Sequence, residues 1–417
     1  MKRFIVPALP DETSEEEDVY ELTHIDHLFI RDRIEIPGFS NYETLKCDFH
    51  THTVFSDGLV WPDARIYEAW QEGLDAIAIT DHIEHRINKV ILKGDLNESY
   101  KIAKKAADDM DFIVIPGAEI TRSKPLGHLN ALFVQDVNLM EKENPVESIA
   151  EAKRQGAFIV WNHPGWPDHK ATLYPIHEKL IQENMIDGIE VMSYKDFYPI
   201  AFGWCFSFKK AFMASSDAHC VLSGIYRKGL RPMTLVFSEE RSEKGIREAL
   251  FAGRTAALFD GKIAGEEKYL APLVKACIRV KRMRNTCLEV TNISDIPFII
   301  YCENNLYLLP ERKTIIMMNP KENSWIMKTV LSAGIRTYRF ISMIFRYESI
   351  FIQLRDRALM RHITSLQLDI NFSEGLNFSI RNFSSASDNP LAVARSSISP
   401  VFIRTDHVGI YIKSDYY

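Results

Sequence analysis

Six of the chain's thirteen histidines stand in a handful of short motifs, several of which also hold carboxylates. Asp48-Phe49-His50-Thr51-His52 comes first, followed by Ser56-Asp57-Gly58. Thr80-Asp81-His82, Pro116-Gly117-Ala118-Glu119, Gly127-His128, Asn162-His163-Pro164 and Ser216-Asp217-Ala218-His219 complete the series. In extended backbone, residues two apart point to one side, so His50 and His52 can reach one ion. A Ser-Asp-Gly turn can bring the Asp57 carboxylate back to the same rim. Imidazole with carboxylate suits zinc, manganese or iron, whereas magnesium and calcium favour all-oxygen sites. Nine donors (His50, His52, Asp57, His82, Glu119, His128, His163, Asp217 and His219) exceed what one tetrahedral ion uses. A cluster of two to three divalent ions is therefore expected, with Glu119 able to bridge two of them. Taken singly, each motif has an ordinary reading. An HxH pair can be two core or solvated histidines, and an Asp-His after a strand can be a capping Asp beside a satisfied His. The joint recurrence of the motifs at strand ends argues against that reading. The remaining histidines are read as ordinary, with His85 near enough to His82 for a supporting role. Cys47 and Cys220 flank the ligand motifs and are expected to be packing residues.

Apolar runs of strand length alternate with helical patterns from Leu45 to about residue 260. Strands are expected at Cys47–His50, Asp75–Thr80, Phe112–Pro116, His128–Val134, Phe158–Asn162, Gly188–Met192 and Ala211–Ser216. Pro62–Glu72, with Pro at its start and Gly73 past its end, reads as a helix. Further helices are expected at Asn97–Asp109, Pro145–Gln155, Pro175–Asn184, Phe197–Lys209 and Ser242–Phe251. Such alternation means parallel strands covered by helices, and about seven units fit a TIM-like (β/α) barrel better than an open sheet. No Gly-rich phosphate fingerprint follows an early strand. In a barrel the carboxyl ends of the strands share one face, which is where the motifs fall. Beyond about Leu270, short β-like runs appear at Cys287–Val290, Phe298–Tyr301, Leu306–Leu309, Thr314–Met317, Gln367–Ile370, Val401–Arg404 and Val408–Ile412. The expected division is an irregular lead-in (1–44), an α/β barrel (45–269) and a smaller, mostly β C-terminal domain (270–417).

The charge distribution supports two units of different character. Residues 270–417 carry 19 Lys+Arg against 12 Asp+Glu, while the rest carries 31 against 44. The net charge of -6 gives no nucleic-acid-binding signature, so such binding would need a basic face formed in three dimensions. None of the six cysteines forms a CxxC pair, and reduced, mostly buried thiols are expected. The apolar stretch after Met1-Lys2-Arg3 is too short for a secretory leader, and no apolar run is long enough to span a bilayer. A cytoplasmic protein is expected, or a periplasmic or secreted one if a leader was removed. No membrane partner is expected, and oligomeric state is not legible.

The motifs at 46–58, 80–82, 116–119, 127–130, 162–164 and 216–219 together resemble those of the PHP (polymerase and histidinol phosphatase) family, over roughly residues 45–260. The resemblance implies a distorted (β/α)7 barrel with a trinuclear site that hydrolyses phosphoesters. By motif position, His50, His52, Glu119 and Asp217 would hold one ion. Glu119, His128 and His163 would hold a second, and Asp57, His82 and His219 a third. With a β-rich segment after Gly253-Arg254-Thr255, the layout also resembles the phosphodiesterase branch of that family that acts on synthetic organophosphorus esters, although the tail is longer than that branch implies. The expected activity is hydrolysis of a small-molecule or nucleotide phosphoester by metal-activated hydroxide, with Asp217 or His219 moving the proton. Arg122, Arg86, Lys195 and Arg227, in loops after ligand strands, are the candidate phosphate-binding cations, and Tyr194 a candidate donor to a phosphoryl oxygen. Two other readings keep the metals: an amide or lactone hydrolase, and a non-catalytic structural or nucleic-acid-binding module.

Overall fold

The computed structural model describes residues 31–108, 110–222, 225–226, 231–284, 287–302 and 305–318, with strands at 326–327, 330–334, 337–340, 366–371 and 377–382. Arg227, residues 1–30, and the strands expected at Val401–Arg404 and Val408–Ile412 lie outside the described residues.

Three parallel strands open the sheet: β1 (Glu43–Asp48), β2 (Ala76–Ile79) and β3 (Ile113–Thr121). Cys47 faces Ala76, and Ile77 faces Val114. All four residues of β2 are buried, as a parallel strand with both faces covered must be. The covering helices are α1 (Pro62–Gln71) and α2 (Glu98–Ala106). β3 does not stop at Pro116. It continues to Thr121 as an antiparallel ladder with β4 (His128–Leu132), so Glu119 lies inside a strand, opposite Asn130, rather than at its end.

β4 is antiparallel to β5 (Phe158–Trp161) as well. Its amino end, His128, therefore shares the rim on which its neighbours place their carboxyl ends. α3 (Pro145–Arg154) precedes β5 and starts at Asn144, whose side chain accepts from Val146 N at 3.0 Å. α4 (Pro175–Gln182) leads to β6 (Gly188–Ser193), which carries the short return strand β7 (Asp196–Phe197). α5 (Pro199–Phe208) then leads to β8 (Ala211–Ser215), parallel to β6.

The turn back to β1 comes from strands that the alternation did not reveal. β9 (Met233–Ser238) is antiparallel to β1. Past α6 (Glu243–Phe251), β10 (Thr255–Phe259) is antiparallel to β9, and β11 (Lys262–Gly265) to β10. No backbone ladder joins β8 to β9. Instead Thr234 Oγ1 accepts from Ala214 N (3.0 Å) and donates to Ala214 O (2.9 Å), and Thr255 Oγ1 accepts from Phe212 N (3.1 Å). The sheet is thus a curled, distorted barrel closed partly by threonine hydroxyls.

One apolar cluster fills the inside of the curl. It takes Leu45 and Cys47 from β1, Ala76 and Ala78 from β2, Phe158 and Val160 from β5, and Ala211 and Met213 from β8, at the two-residue spacing of strands. Ile246, Ala249 and Leu250 of α6 join it, so the interior is apolar at the amino ends, and the ligand motifs occupy the opposite, carboxyl rim.

Beyond α7 (Glu267–Cys277) the chain is strand-rich, as expected: β12 (Ile278–Arg284), β13 (Cys287–Asn292), β14 (Phe298–Cys302), β15 (Asn305–Leu309), β16 (Thr314–Met318), β17 (Ile326–Met327), β18 (Val330–Gly334) and β19 (Thr337–Phe340). β12-β13-β16 and β15-β14-β17 form two small sheets, while β18 pairs with β11 and β19 with β18. Leu288, Val290, Phe298, Ile300 and Leu309 lie in one apolar cluster with Ile66, Leu74 and Ile77, so the core runs unbroken past residue 270. A second compact unit begins at Gln353, and its described part is the antiparallel pair β20 (Leu366–Asn371) and β21 (Asn377–Asn382). No helix among the described residues is long and apolar enough to cross a membrane.

Candidate metal centre

The nine sequence-predicted ligands meet at the carboxyl rim. Their donor atoms form four overlapping groups, each with every atom within 4.8 Å of the others. The groups are His52–Asp57–His82–His219, His50–Glu119–His163, His50–His52–Asp217 and His82–Glu119–His128. His50 and His52 Nε2 each stand 3.1 Å from Asp217 Oδ1. Asp57 Oδ1 is 3.3 Å from His82 Nε2 and 3.2 Å from His219 Nε2. Glu119 is the hub: its carboxylate is 2.6 Å from His82 Nδ1, 3.0 Å from His128 Nδ1 and 3.8 Å from His163 Nε2. The grouping differs from motif position. His52 also joins the Asp57 group, His128 and His163 meet Glu119 in separate groups (with His82 and His50 respectively), and Asp217 groups with His50 and His52 without Glu119.

Local backbone explains how short motifs reach one point. Thr51 bridges to Ala218, and His52 N donates to Ala218 O (2.9 Å), so the first and last motifs run side by side. His163 (φ 22°) and Asp217 (φ 52°) adopt left-handed backbone, which costs a non-glycine residue and recurs where a side chain must be aimed. At Gly58 a Cβ would lie 2.8 Å from the His52 and Thr53 backbone, so only glycine lets the turn fold Asp57 back over His52.

Several supporting residues had not been singled out. Glu190 is fully buried in β6, beside a register shift that re-aims its side chain. Its Oε1 is 3.0 Å from His50 Nδ1, and Oε2 accepts from His163 N at 2.8 Å. A lone carboxylate in an otherwise apolar strand was the available signal. Asp81 accepts from Thr53 N, Thr53 Oγ1 and Ser56 Oγ (2.7, 2.7 and 2.6 Å), fixing the turn that carries Asp57. Asn162 Nδ2 donates to Glu119 Oε1 at 2.8 Å. Arg65 of α1 reaches the carbonyls of His52 (3.2 Å), Ala218 (3.1 Å) and Cys220 (3.1 Å), tying the two motif loops together. Cys47 packs in the core as expected, but Cys220 is exposed because its loop turns outward at the rim.

Glu190 holding the His50 Nδ1 proton leaves Nε2 as a lone pair toward the cluster. Glu190→Gln should therefore weaken metal binding by roughly 10–100-fold, read by competition with a chromogenic chelator. Unchanged affinity would remove Glu190 from this role.

The residues fit divalent ions. His50 Nε2, His52 Nε2, Asp57 Oδ1, Glu119 Oε2 and His128 Nδ1 are buried with no hydrogen-bond partner, an arrangement that is costly unless a cation completes it. Electrostatics point the same way. Burial opposes ionisation of Glu119 and Asp217, but the surrounding imidazoles, His50 foremost, hold both well below the usual carboxylate range. Burial pushes His52 down to about 4. At His82 burial also works downward, but Glu119 and Asp57 outweigh it and bring the ring up to about 10. Carboxylates likewise raise His50, His163 and His219 against burial. In protein stripped of metal His82 should be protonated at pH 7, and His50, His163 and His219 should hold a proton more readily than a free imidazole. Ligation needs them neutral, so metal uptake should release protons and strengthen as pH rises. Calorimetric titration of manganese in two buffers of different ionisation heat should give different apparent enthalpies, and identical values would contradict this.

The candidate substrate residues fare differently. Arg86 lines an open cavity that also includes His82, Phe55 and Lys89, with its guanidinium on Glu141 (2.7 Å). Arg122 is committed to Glu84 and to the carbonyls of Thr121, Lys142 and Glu143, and not to the ligand cluster. Tyr194 is half-exposed with left-handed backbone, and the Lys195 ammonium lies over its ring at 4.8 Å. His85 Nε2 comes within 3.7 Å of Asp57 Oδ2.

A PHP domain family model matches residues 48–198. A crystal structure from Bacteroides vulgatus, of a two-domain protein containing a predicted PHP-like metal-dependent phosphoesterase, is 36% identical with a TM-score of 0.68, and the match covers 72% of this chain and 95% of that one. The chain belongs to the PHP family. An uncharacterised protein of Methanocaldococcus jannaschii is 41% identical over 136 residues, 30% of this chain, and the match spans 60% of that relative's length. The PHP match begins at Asp48 and takes in seven of the nine clustered donors, all except Asp217 and His219.

Proposed function

We propose that this PHP protein hydrolyses phosphoesters of a small molecule or nucleotide, with two or three divalent ions (zinc, manganese or iron) held by the nine clustered donors. The observation that carries this reading is the set of unpartnered ligand atoms converging on Glu119. Divalent ions bound there would supply Lewis acidity and a nucleophile at neutral pH. The chain's own groups do the rest. Glu119, His50 and His52 are fully buried and would hold their positions without solvent reorganisation. The Asp217 side chain keeps 24% exposure and lies 4.0 Å, through Oδ2, from His163 Nε2, so it can carry a proton between the cluster and water. His219 Nδ1 bonds the Asp217 carbonyl at 2.9 Å, which leaves its Nε2, 3.2 Å from Asp57 Oδ1, as the atom it would offer to an ion. Of the sequence-predicted cations, Arg86 has the placement that best supports a role with phosphoryl oxygens, since its cavity reaches His82. Tyr194 and Lys195 would act from the β6 rim.

The test is metal analysis of the purified chain together with hydrolysis of a chromogenic phosphomonoester and phosphodiester, with and without manganese or zinc. Two to three equivalents of metal and chelator-sensitive turnover are expected, and the preferred ester would decide whether the phosphodiesterase branch applies. Bound metal with turnover of neither ester, but hydrolysis of an amide or lactone, would overturn the proposal.

A further inference from the structure

Beside the metal centre lies a shallow, open depression walled by Trp161, Trp166, Tyr174 and Pro125 and bordered by His128 and His163. Two of its wall residues are thus also members of the ligand cluster. The Trp166 ring sits 5.0 Å from that of His128 and 5.7 Å from that of His163, yet Trp166 is 55% exposed. That leaves a large aromatic surface in water at the edge of a polar site, on which a flat ring could stack. The opposite wall is stiff: Trp161 stacks on His177 (3.8 Å between centroids) and on Trp204 (5.1 Å).

The polar groups of the walls are largely spent on one another. Lys124 Nζ is held by Asp168 and by the Lys170 carbonyl (3.1 Å). His177 Nε2 meets Leu126 O at 2.7 Å, and its Nδ1 accepts from Tyr174 N at 3.2 Å. A sugar or polyol would find few partners here, whereas a flat ring needs only π surface. Asn162 adds one unused group: it is 1% exposed, lines the depression, and its Oδ1 has no hydrogen-bond partner. The cavity on the His82 side is different in kind, with Arg86, Lys89, Asp81 and Asp95 in its walls. The two sides of the centre are therefore chemically unlike.

We propose that the Trp166 depression is a subsite for a flat aromatic group borne by the phosphoester, so that the substrate is an ester joining phosphate to an aromatic or nucleobase-bearing alcohol. This rests on the phosphoesterase reading above. Asn162 Oδ1 would accept from a ring N–H where the ring has one.

The test uses the full chain loaded with manganese. 2-Phenylethyl phosphate and 2-cyclohexylethyl phosphate, with their methyl diesters, have similar leaving groups and differ in flatness. The phenyl compounds should be favoured in kcat/KM by about tenfold or more, within the range for stacking on an aromatic side chain. Trp166→Ala should bring that ratio close to one, and Trp166→Phe should keep most of it, with metal content checked in both. Binding of phenylphosphonate against methylphosphonate, by calorimetry, should show the same preference without turnover. A ratio near one in the unaltered protein, or one that Trp166→Ala leaves intact, overturns the subsite. Failure of every ester with metal bound overturns the phosphoesterase reading instead, and the phosphonate preference then still decides on the subsite.

Discussion

Glu119→Gln should release at least one equivalent of metal and remove nearly all turnover, while leaving the protein folded. The change keeps shape and volume but replaces a charged, two-oxygen acceptor by an amide with one acceptor. Glu119 is fully buried and its two oxygens face His50 (3.5 Å), His52 (3.7 Å), His82 (2.6 Å), His128 (3.0 Å) and His163 (3.8 Å). No other carboxylate of the cluster meets as many imidazoles among the described residues. The amide nitrogen would present hydrogens where lone pairs are needed. The loss in metal affinity should exceed the ~10–100-fold that removing a supporting hydrogen-bond partner costs. Elemental analysis and turnover should fall together, and circular dichroism should hold. Full metal content with full turnover in this variant would show that the cluster is not the working site.

The second large effect concerns stability. Arg231→Met should destabilise the fold by about 3–5 kcal/mol, the usual cost of stripping one partner from a buried ion pair. Arg231 is 4% exposed and spans Asp48 at the end of β1 and Glu72 at the end of α1, with Ser216 Oγ at 3.3 Å. Burial works against its charge, but Asp48 and Glu72 more than compensate and hold it protonated. Asp48 is fully buried and also accepts from Ser216 N (3.1 Å) and His50 N (3.3 Å), so it ties the first ligand motif to the last. Without Arg231 its carboxylate would remain buried and uncompensated. Denaturant unfolding of the metal-free variants measures the cost. Combining Arg231→Met with Asp48→Asn should recover part of the loss, since neutralising both members removes the stranded charge. A single-variant cost below about 1 kcal/mol, or a double variant no more stable than the single, would refute this account.

Much of the candidate site was legible because its ligands come from local motifs at the ends of regular elements. His50 and His52 share a side by strand geometry, and Pro62, Pro145 and Pro175 each open a helix as placed. The alternation was strong enough to give the barrel, since each strand buried on both faces is a short unbroken apolar run. The strand-rich character after residue 270 was legible too, with β13 to β16 lying at or within two residues of the expected runs.

What failed did so for identifiable reasons. β9 and β10 flank the expected helix α6 yet pair antiparallel, and β11 follows β10 through a tight turn, so the parallel-strand pattern that revealed the others did not extend to them. Pro116 reads as a strand end, yet β3 runs through it because β4 supplies an antiparallel partner beyond, and this puts Glu119 in mid-strand. The pairing of Arg122 with Glu84 and the 142–143 carbonyls likewise had no sequence signal.

The residue types and their spacing thus determined the donor set: an imidazole–carboxylate cluster that fits divalent metals, on the carboxyl rim of an α/β barrel. Only the tertiary structure decided which groups hold that cluster in place and what lies on either side of it. Glu190, Asp81, Arg65 and Arg231 act through partners that are mostly 25 to 183 residues away. The Trp166 depression is made by the loop before β4 and the loop after β5, which the pairing of β4 with β5 brings together. Hydrogen bonds and cavity walls between distant segments depend on where the backbone places them, and the local periodicities of a sequence carry no record of that.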